Sequence, residues 1–382
     1  MAYTAVRGGQ AAIEAAEALI AEGGRVRLPT GDVRTGLRLL VDQVMGEGGL
    51  YAPELAALAI GQAEGDPIEA AFLLRAYRST LPRIGYSRPV GGEDLRVRRR
   101  ISSAFKEIPG GQVLGRTRDY TQRLLDLDGA FAARALATVP ASGAAEPNGA
   151  NPNAEPPHFP KVIETLRTEG LVSPLPPRAT GDAEPEPFDI TRDAPVFPAP
   201  RSARLQALAR GETGFMVALA YSVMRGFGAG HPTIAELRAG ELPVRIAHPL
   251  TDNPVTIGCV DLTEVEAVSH ASSGVGAGAA GNLGLDADRE ERAAPRFDVG
   301  YGAVFGRNER KAIAMAILDT SLSIPGNTGP AADEEFVLQH CDPLESSGFV
   351  EHLKLPHYVT FQSQLDRLRH SRLAKLAGIR AP

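Results

Sequence analysis

Residues 298–321 read DVGYGAVFGRNERKAIAMAILDTS. Asp298 to Phe305 reads as a strand, and Asn308 to about Ser321 reads as a helix that follows it almost at once. Working back toward the N-terminus, two more strand candidates appear at 243–247 (PVRIA) and 255–262 (VTIGCVDL). Between them lies His248-Pro249-Leu250-Thr251-Asp252-Asn253, a composition suited to a hairpin-like connection. Helices bracket this set. Residues 202–211 (SARLQALARG) read as a helical segment, followed by the apolar run GFMVALAYSVMRGFG, which suits a buried helix. The fold class expected is α+β, with helical N-terminal and C-terminal regions around a small mixed or antiparallel sheet.

The first 80 residues read as mainly helical. Residues 10–22, 33–45 and 53–63 are helix candidates, and a short strand is expected over 2–7. The clearest start signal is Asp66-Pro67-Ile68-Glu69. A carboxylate at the cap, a proline in the first turn and a glutamate three residues on satisfy backbone N–H groups that a helix start leaves unpaired. That helix should run to about Arg78. Beyond it, Arg96 to Lys106 and Asp119 to Leu127 are expected as helices, with Pro109-Gly110-Gly111 as the turn between them.

Composition sets the organisation. Of the 30 prolines in the 382-residue chain, 14 fall between Pro140 and Pro200, which predicts a long surface insertion. Large apolar residues are scarce there, so little of it can pack. The segment HFPKVIETLRTEGLV within it still reads as one helix. The expected division is 1–128, mainly helical; 129–188, a proline-rich insertion; 189–265, a helix plus hairpin; 266–297, a glycine- and alanine-rich insertion; and 298–382, a strand and helical region. Regions 1–128 and 189–382 are expected to fold together.

The formal charge of -6 excludes a general polyanion binder, and no nucleic acid is expected as partner. It leaves room for a local basic pocket that takes one phosphorylated small molecule. No apolar run reaches the roughly 18–20 residues needed to span a bilayer, so no membrane partner is expected. Two cysteines, Cys259 and Cys341, make neither a disulfide framework nor a cysteine-rich zinc site. Met1 to Gly9 lacks the basic start and apolar core of a secretory signal, and the expectation is a cytoplasmic protein.

Three clusters could carry chemistry. The first is His352-Leu353-Lys354-Leu355-Pro356-His357. Five residues on a straight helix turn about 500°, leaving the imidazoles roughly 140° apart and unable to share an ion. Pro356 favours a corner, which could swing both toward a common point. Zinc or a similar metal would accept them, though further ligands must come from elsewhere; the alternative is a surface histidine pair. The second is Asp333-Glu334-Glu335. These either cap a helix starting near Asp333 or serve Mg²⁺ or a cationic transition state. The third is Arg98-Arg99-Arg100 with Lys106, Gly110 and Gly111. A glycine turn offers N–H groups to phosphate oxygens while arginines pair with them; a solvated basic helix face is the alternative.

Long blocks spread from end to end resemble one family, the I subunit of the bacterial carbon–phosphorus lyase system. They are AAFLLRAYRSTL at 70–81, RRISSAFKEIPGGQVLGRTRDYTQRLLD at 99–126, DITRDAPVFP at 189–198, ALAYSVMRGFGAGHP at 218–232, GYGAVFGRNERKAIAMAILD at 300–319 and GPAADEEFVLQHCDPLESSGFVEHLKLPHYVTFQ at 329–362. The resemblance implies an enzyme of phosphonate catabolism, a purine ribonucleotide ribosyltransferase. It implies displacement of adenine from MgATP by an alkylphosphonate, giving α-D-ribose 1-methylphosphonate 5-triphosphate. It further implies an ATP or GTP nucleosidase when the subunit is alone, and assembly with G, H, J and L subunits. The paired histidines matching His352 and His357 are implied to hold zinc at the contact with the J subunit. On that basis Asp333, Glu334 and Glu335 are the carboxylates expected at the cationic sugar or Mg²⁺. Arg99, Arg100, Lys106, Gly110 and Gly111 are the expected phosphate site. The other class of reading is an assembly subunit that contributes a metal site but little chemistry.

Overall fold

The computed structural model describes residues 9–22, 28–121, 123–127, 159–172, 188–228, 230–270, 296–324, 326–355 and 357–377. The expected strand at 2–7 and most of both insertions lie outside the described residues; of the first, 159–172 are described and carry the expected helix. Twelve helices and a four-stranded sheet are present among them, an α+β architecture. The strands are β1 (Arg96–Ile101), β2 (Thr233–Ala247), β3 (Pro254–Ser269) and β4 (Asp298–Phe305). They pair antiparallel in the order β1-β2-β3-β4.

β2 and β3 form a hairpin far longer than the two short strands expected, and β3 extends to Ser269. Charged residues at alternate positions, as in Glu264-Val265-Glu266, conceal this continuation, because both faces of the hairpin base are covered. A larger correction concerns Arg96 to Lys106, expected as a helix. Residues 96–101 are strand β1, registered against β2 with Arg100 opposite Arg238 and Ile101 opposite Leu237. Pairing along an available sheet edge outweighs the helix propensity of a short arginine run. The second helix expected there, Asp119 to Leu127, is turn and irregular chain where described.

One face of the sheet packs on α9 (Glu309–Ser323), the helix that follows β4. Ten of its fifteen residues are buried. Gly300 and Gly302 make the contact possible: a Cβ on either would fall 2.1 and 2.2 Å from the carbonyl oxygens of Ala316 and Ala312. α7 (Arg201–Arg210) and α8 (Thr213–Met224) complete this core, with Met216, Leu237, Val265, Val304, Met315 and Leu318 inside it.

A second core lies among α2 (Thr30–Gly36), α3 (Arg38–Gly48), α4 (Pro53–Gln62) and α5 (Pro67–Ser79), built on Val44, Met45, Ile60 and Leu74. The expected helix over 33–45 is two helices, broken at Leu37. The cap on α5 forms as expected: the Asp66 carboxylate accepts from the N–H groups of Ile68 and Glu69 at 2.8 and 3.0 Å. This helical set is tied to the second half of the chain. Arg75 pairs with Asp342 at 2.7 Å, and the Tyr51 ring meets Phe305 edge-on at 5.4 Å. α1 (Gly9–Glu22), α6 (Val162–Thr168), α10 (Glu334–His340), α11 (Pro343–Glu351) and α12 (Tyr358–Leu376) complete the helices. α6 covers the other face of the sheet, through Ile163 and Leu166. Among the described residues no helix is long and apolar enough to cross a membrane.

Candidate functional site

The sheet face under α6 is charged. Register places Arg100 opposite Arg238 and Arg238 opposite Glu264, while Glu236, Glu266 and Tyr301 line up one pair along. All but fully buried, Arg100 pairs with Glu236 through Nε, and Arg238 donates to Glu264 at 2.6 Å. Lys161 reaches over to Glu266 at 2.9 Å and Glu264 at 3.4 Å, and the Tyr301 hydroxyl donates to Glu264 at 3.0 Å. Burial raises the Glu266 carboxyl above its usual range, opposed by Lys161. The Tyr301 phenol is pushed well up by burial and by the charge on Glu264. Burial alone would lower Lys161, but Glu266 and Glu264 more than offset it. Three cations meet three carboxylates, so the layer carries no net charge and clamps residues 159–162 to the sheet.

Arg100 also shapes the glycine turn. Nη1 donates to the carbonyls of Pro109 and Gly111, and Nη2 donates to Pro160 at 2.6 Å. Gly110 and Gly111 have φ of 82 and 77°, a consecutive left-handed pair that only glycine adopts without strain. Arg99 is equally committed: it donates to the Leu114 carbonyl and Asp119, both at 2.5 Å, and pairs with Glu309 at 2.7 Å. Of the five residues expected at phosphate, Arg99 and Arg100 are therefore buried in protein contacts. Lys106, Gly110 and Gly111 are exposed.

The three acidic residues serve separate partners. Asp333 caps α10, accepting from the Phe336 N–H at 2.9 Å. Glu334 accepts from the Ala199 N–H at 2.6 Å, and Glu335 accepts from Gln339 at 3.0 Å. Asp333 also lines an open groove of about 510 Å³ with Asn327, Thr328 and Phe336.

The two histidines are brought together. α11 ends in a 3₁₀ turn over His352–Lys354, and α12 begins at Tyr358, so the chain turns a corner between the imidazoles. Their centroids are 5.1 Å apart with planes at 62°. Each Nδ1 faces a backbone carbonyl, Phe349 for His352 and Leu355 (2.7 Å) for His357. A carbonyl only accepts, so both Nδ1 atoms are the protonated ones and both Nε2 lone pairs remain for a ligand. Two imidazoles fit half of a tetrahedral zinc set. Among the described residues no group of three or more histidine, cysteine or acidic side chains could hold a metal.

A cleft of about 750 Å³ lies where the C-terminal end of α8 and the glycine-rich loop after it approach the start of β2 and the end of β3. Phe105, Arg225, His231, His270 and Phe297 stand on its walls.

Residues 2–375 match the family described as "Bacterial phosphonate metabolism protein (PhnI)". The chain belongs to this family. It is 48% identical to "Putative C-P lyase subunit protein HtxH" of Stutzerimonas stutzeri, over 97% of this chain and 95% of that one. It is 44% identical to "Alpha-D-ribose 1-methylphosphonate 5-triphosphate synthase subunit PhnI" of Escherichia coli, over 96% and 97% of the two chains. The protein of that name in Rhizobium meliloti is 42% identical, over 97% and 95%. The match of this PhnI-family chain thus runs through every cluster described above. Sequence reasoning missed the charged layer of Lys161, Glu236, Arg238, Glu264, Glu266 and Tyr301. The signal was the strict alternation of charged and apolar residues at 236–238 and 264–266, which marks two faces of a strand.

Proposed function

We propose that this chain is the ribosyl-transferring subunit of a carbon–phosphorus lyase system. In this reading it exchanges the adenine of MgATP for an alkylphosphonate, giving α-D-ribose 1-methylphosphonate 5-triphosphate, and acts with G, H and L subunits. Alone, it would release the base from ATP or GTP with water as acceptor. The observation that carries the reading is the end-to-end likeness to two relatives named for that product. A cytoplasmic location goes with such a substrate.

The chemistry asks for three things. Cleavage of the ribosyl C–N bond develops positive charge on the sugar, which carboxylates stabilise; Asp333, Glu334 and Glu335 are assigned to it or to Mg²⁺. Asp333, facing an open groove, is the first of the three to test. The triphosphate needs cations and backbone N–H groups, assigned to Lys106 and the Gly110-Gly111 turn, in which the Gly111 N–H already donates to the Ile108 carbonyl at 2.8 Å, with Arg99 and Arg100 holding the segment in shape. Mg²⁺ would neutralise charge on the phosphates when bound.

Zinc at His352 and His357 would be completed by the J subunit, joining the two chains. Exposed Phe349, Leu353, Tyr358 and Phe361 surround the corner and suit a protein contact. The same observation favours a second reading, an assembly subunit with little chemistry of its own. Incubating the purified chain with MgATP and following free adenine and ribose 5-triphosphate separates the two. With the G, H and L partners and methylphosphonate, ³¹P NMR should show the ribosyl phosphonate. No adenine release under either condition overturns the transferase. His352→Ala should remove zinc from the assembled complex, and unchanged zinc content would refute the corner as its site.

A further inference from the structure

The cleft beside the glycine-rich loop is a concavity that no role above has used. Its volume, about 750 Å³, lies within the range of small-molecule sites. Two aromatic walls, Phe105 and Phe297, face it, and His231, His270 and Arg225 add polar edges. His270 stands edge-on to Phe297 at 6.4 Å, which fixes the imidazole against that wall. The opposite rim is also held in place: the Ser102 hydroxyl donates to the Ala235 carbonyl at 2.6 Å and accepts from the Phe105 N–H at 3.2 Å.

Glycine keeps the loop wall bare. Gly226 has φ of 92°, and a Cβ on Gly230 would fall 2.4 Å from Ser269 Oγ. That hydroxyl lies behind the loop wall, beneath the cleft surface. Ser269 is 2% exposed, and its Oγ has no hydrogen-bond partner among the described residues.

Flat aromatic faces with donors and acceptors at their edge suit a nucleobase. Phenylalanine stacks on either face of a ring, and imidazole N–H and lone pair reach its heteroatoms. Chain order adds direction: Ala104 and Phe105 on the rim lead straight into Lys106 and the Gly110-Gly111 turn, assigned above to phosphate. We propose that this cleft is the subsite for the purine base of the nucleotide. The assignment rests on the nucleotide reading given under Proposed function and names where the base sits.

Calorimetric titration of the full chain, and of the complex with its partner subunits, with MgATP and with inorganic tripolyphosphate tests it. Phe105→Ala removes one stacking wall. Thr233→Trp, on the exposed start of β2, fills the space while leaving Arg225, His231 and His270 in place. Both should weaken MgATP roughly tenfold or more while tripolyphosphate affinity stays unchanged, as expected for loss of one base-stacking contact. Unaltered thermal unfolding would show both variants folded. MgATP affinity equal to wild type in both variants overturns the subsite. So does a wild type that binds MgATP no tighter than tripolyphosphate, although the phosphate reading survives that result. A wild type that binds neither ligand, alone or assembled, overturns the subsite and the nucleotide reading together.

Discussion

Replacing Arg100 by methionine removes a guanidinium that is fully buried and bonded on every side. Three backbone carbonyls, of Pro109, Gly111 and Pro160, lose donors at once. Glu236, 1% exposed, loses its ion partner and keeps, among the described residues, the Val162 N–H at 2.9 Å. Removing one partner of a buried pair costs about 3–5 kcal/mol, chiefly because the other charge is stranded. Unfolding entropy near 60 °C is about 2.1 cal/mol/K per residue, or roughly 0.8 kcal/mol/K for a chain of 382 residues. The Arg100→Met variant should therefore melt about 4–6 °C lower by scanning calorimetry. Amide exchange over residues 159–172 should also accelerate, because that segment is clamped through Arg100, Glu236 and Lys161. The double variant Arg100→Met/Glu236→Gln should melt higher than Arg100→Met alone, since it no longer strands a carboxylate. A single variant within about 1 °C of wild type, or a double variant with fully additive loss, would refute the charged layer as a coupled unit.

Lys311 gives a pH signature. Burial lowers its ammonium from 10.5 to about 8, so between those values the unfolded chain holds more protons than the folded one. Its contribution should therefore raise stability as pH climbs from about 8 to 10.5, and a Lys311→Met comparison by urea titration should lack that slope. The two thiols should separate cleanly: exposed Cys259 should react with iodoacetamide in the native protein. Cys341, buried and pushed up to about 12 mainly by burial, should react only on unfolding. Gly302→Ala should destabilise by about 1–3 kcal/mol or more in urea, because the added methyl meets the Ala312 carbonyl; a neutral result would mean that α9 moves freely off β4.

Much of the helical frame was legible because its signals are local. Asp66 with Pro67 writes a cap, and the alanine-rich run after Asn308 writes a helix that needs no partner to be recognised. Strand β1 was not legible, since Arg98-Arg99-Arg100 acquires its strand geometry only from the edge of β2, more than a hundred residues away. The charged layer failed for the same reason. Glu264 and Glu266 look like surface residues until Arg238 and Lys161 are placed on them. Among the expected site residues, the histidine corner followed from a backbone rule. Asp333 fulfilled the capping alternative offered at the outset, while Arg99 and Arg100 turned inward once their segment became a strand.

The bare backbone at Gly300 and Gly302 has a mechanical consequence. Because α9 rests on strand β4 with its Ala312 and Ala316 carbonyls and the Thr320 hydroxyl against glycine backbone, the pair has little room in which to slip. Asn308 at the start of that helix touches Thr213, which in turn bonds Glu47 of the N-terminal helices. The helix that lies closest on the sheet is thus also the one whose start is hydrogen-bonded, through Thr213, to the N-terminal helices.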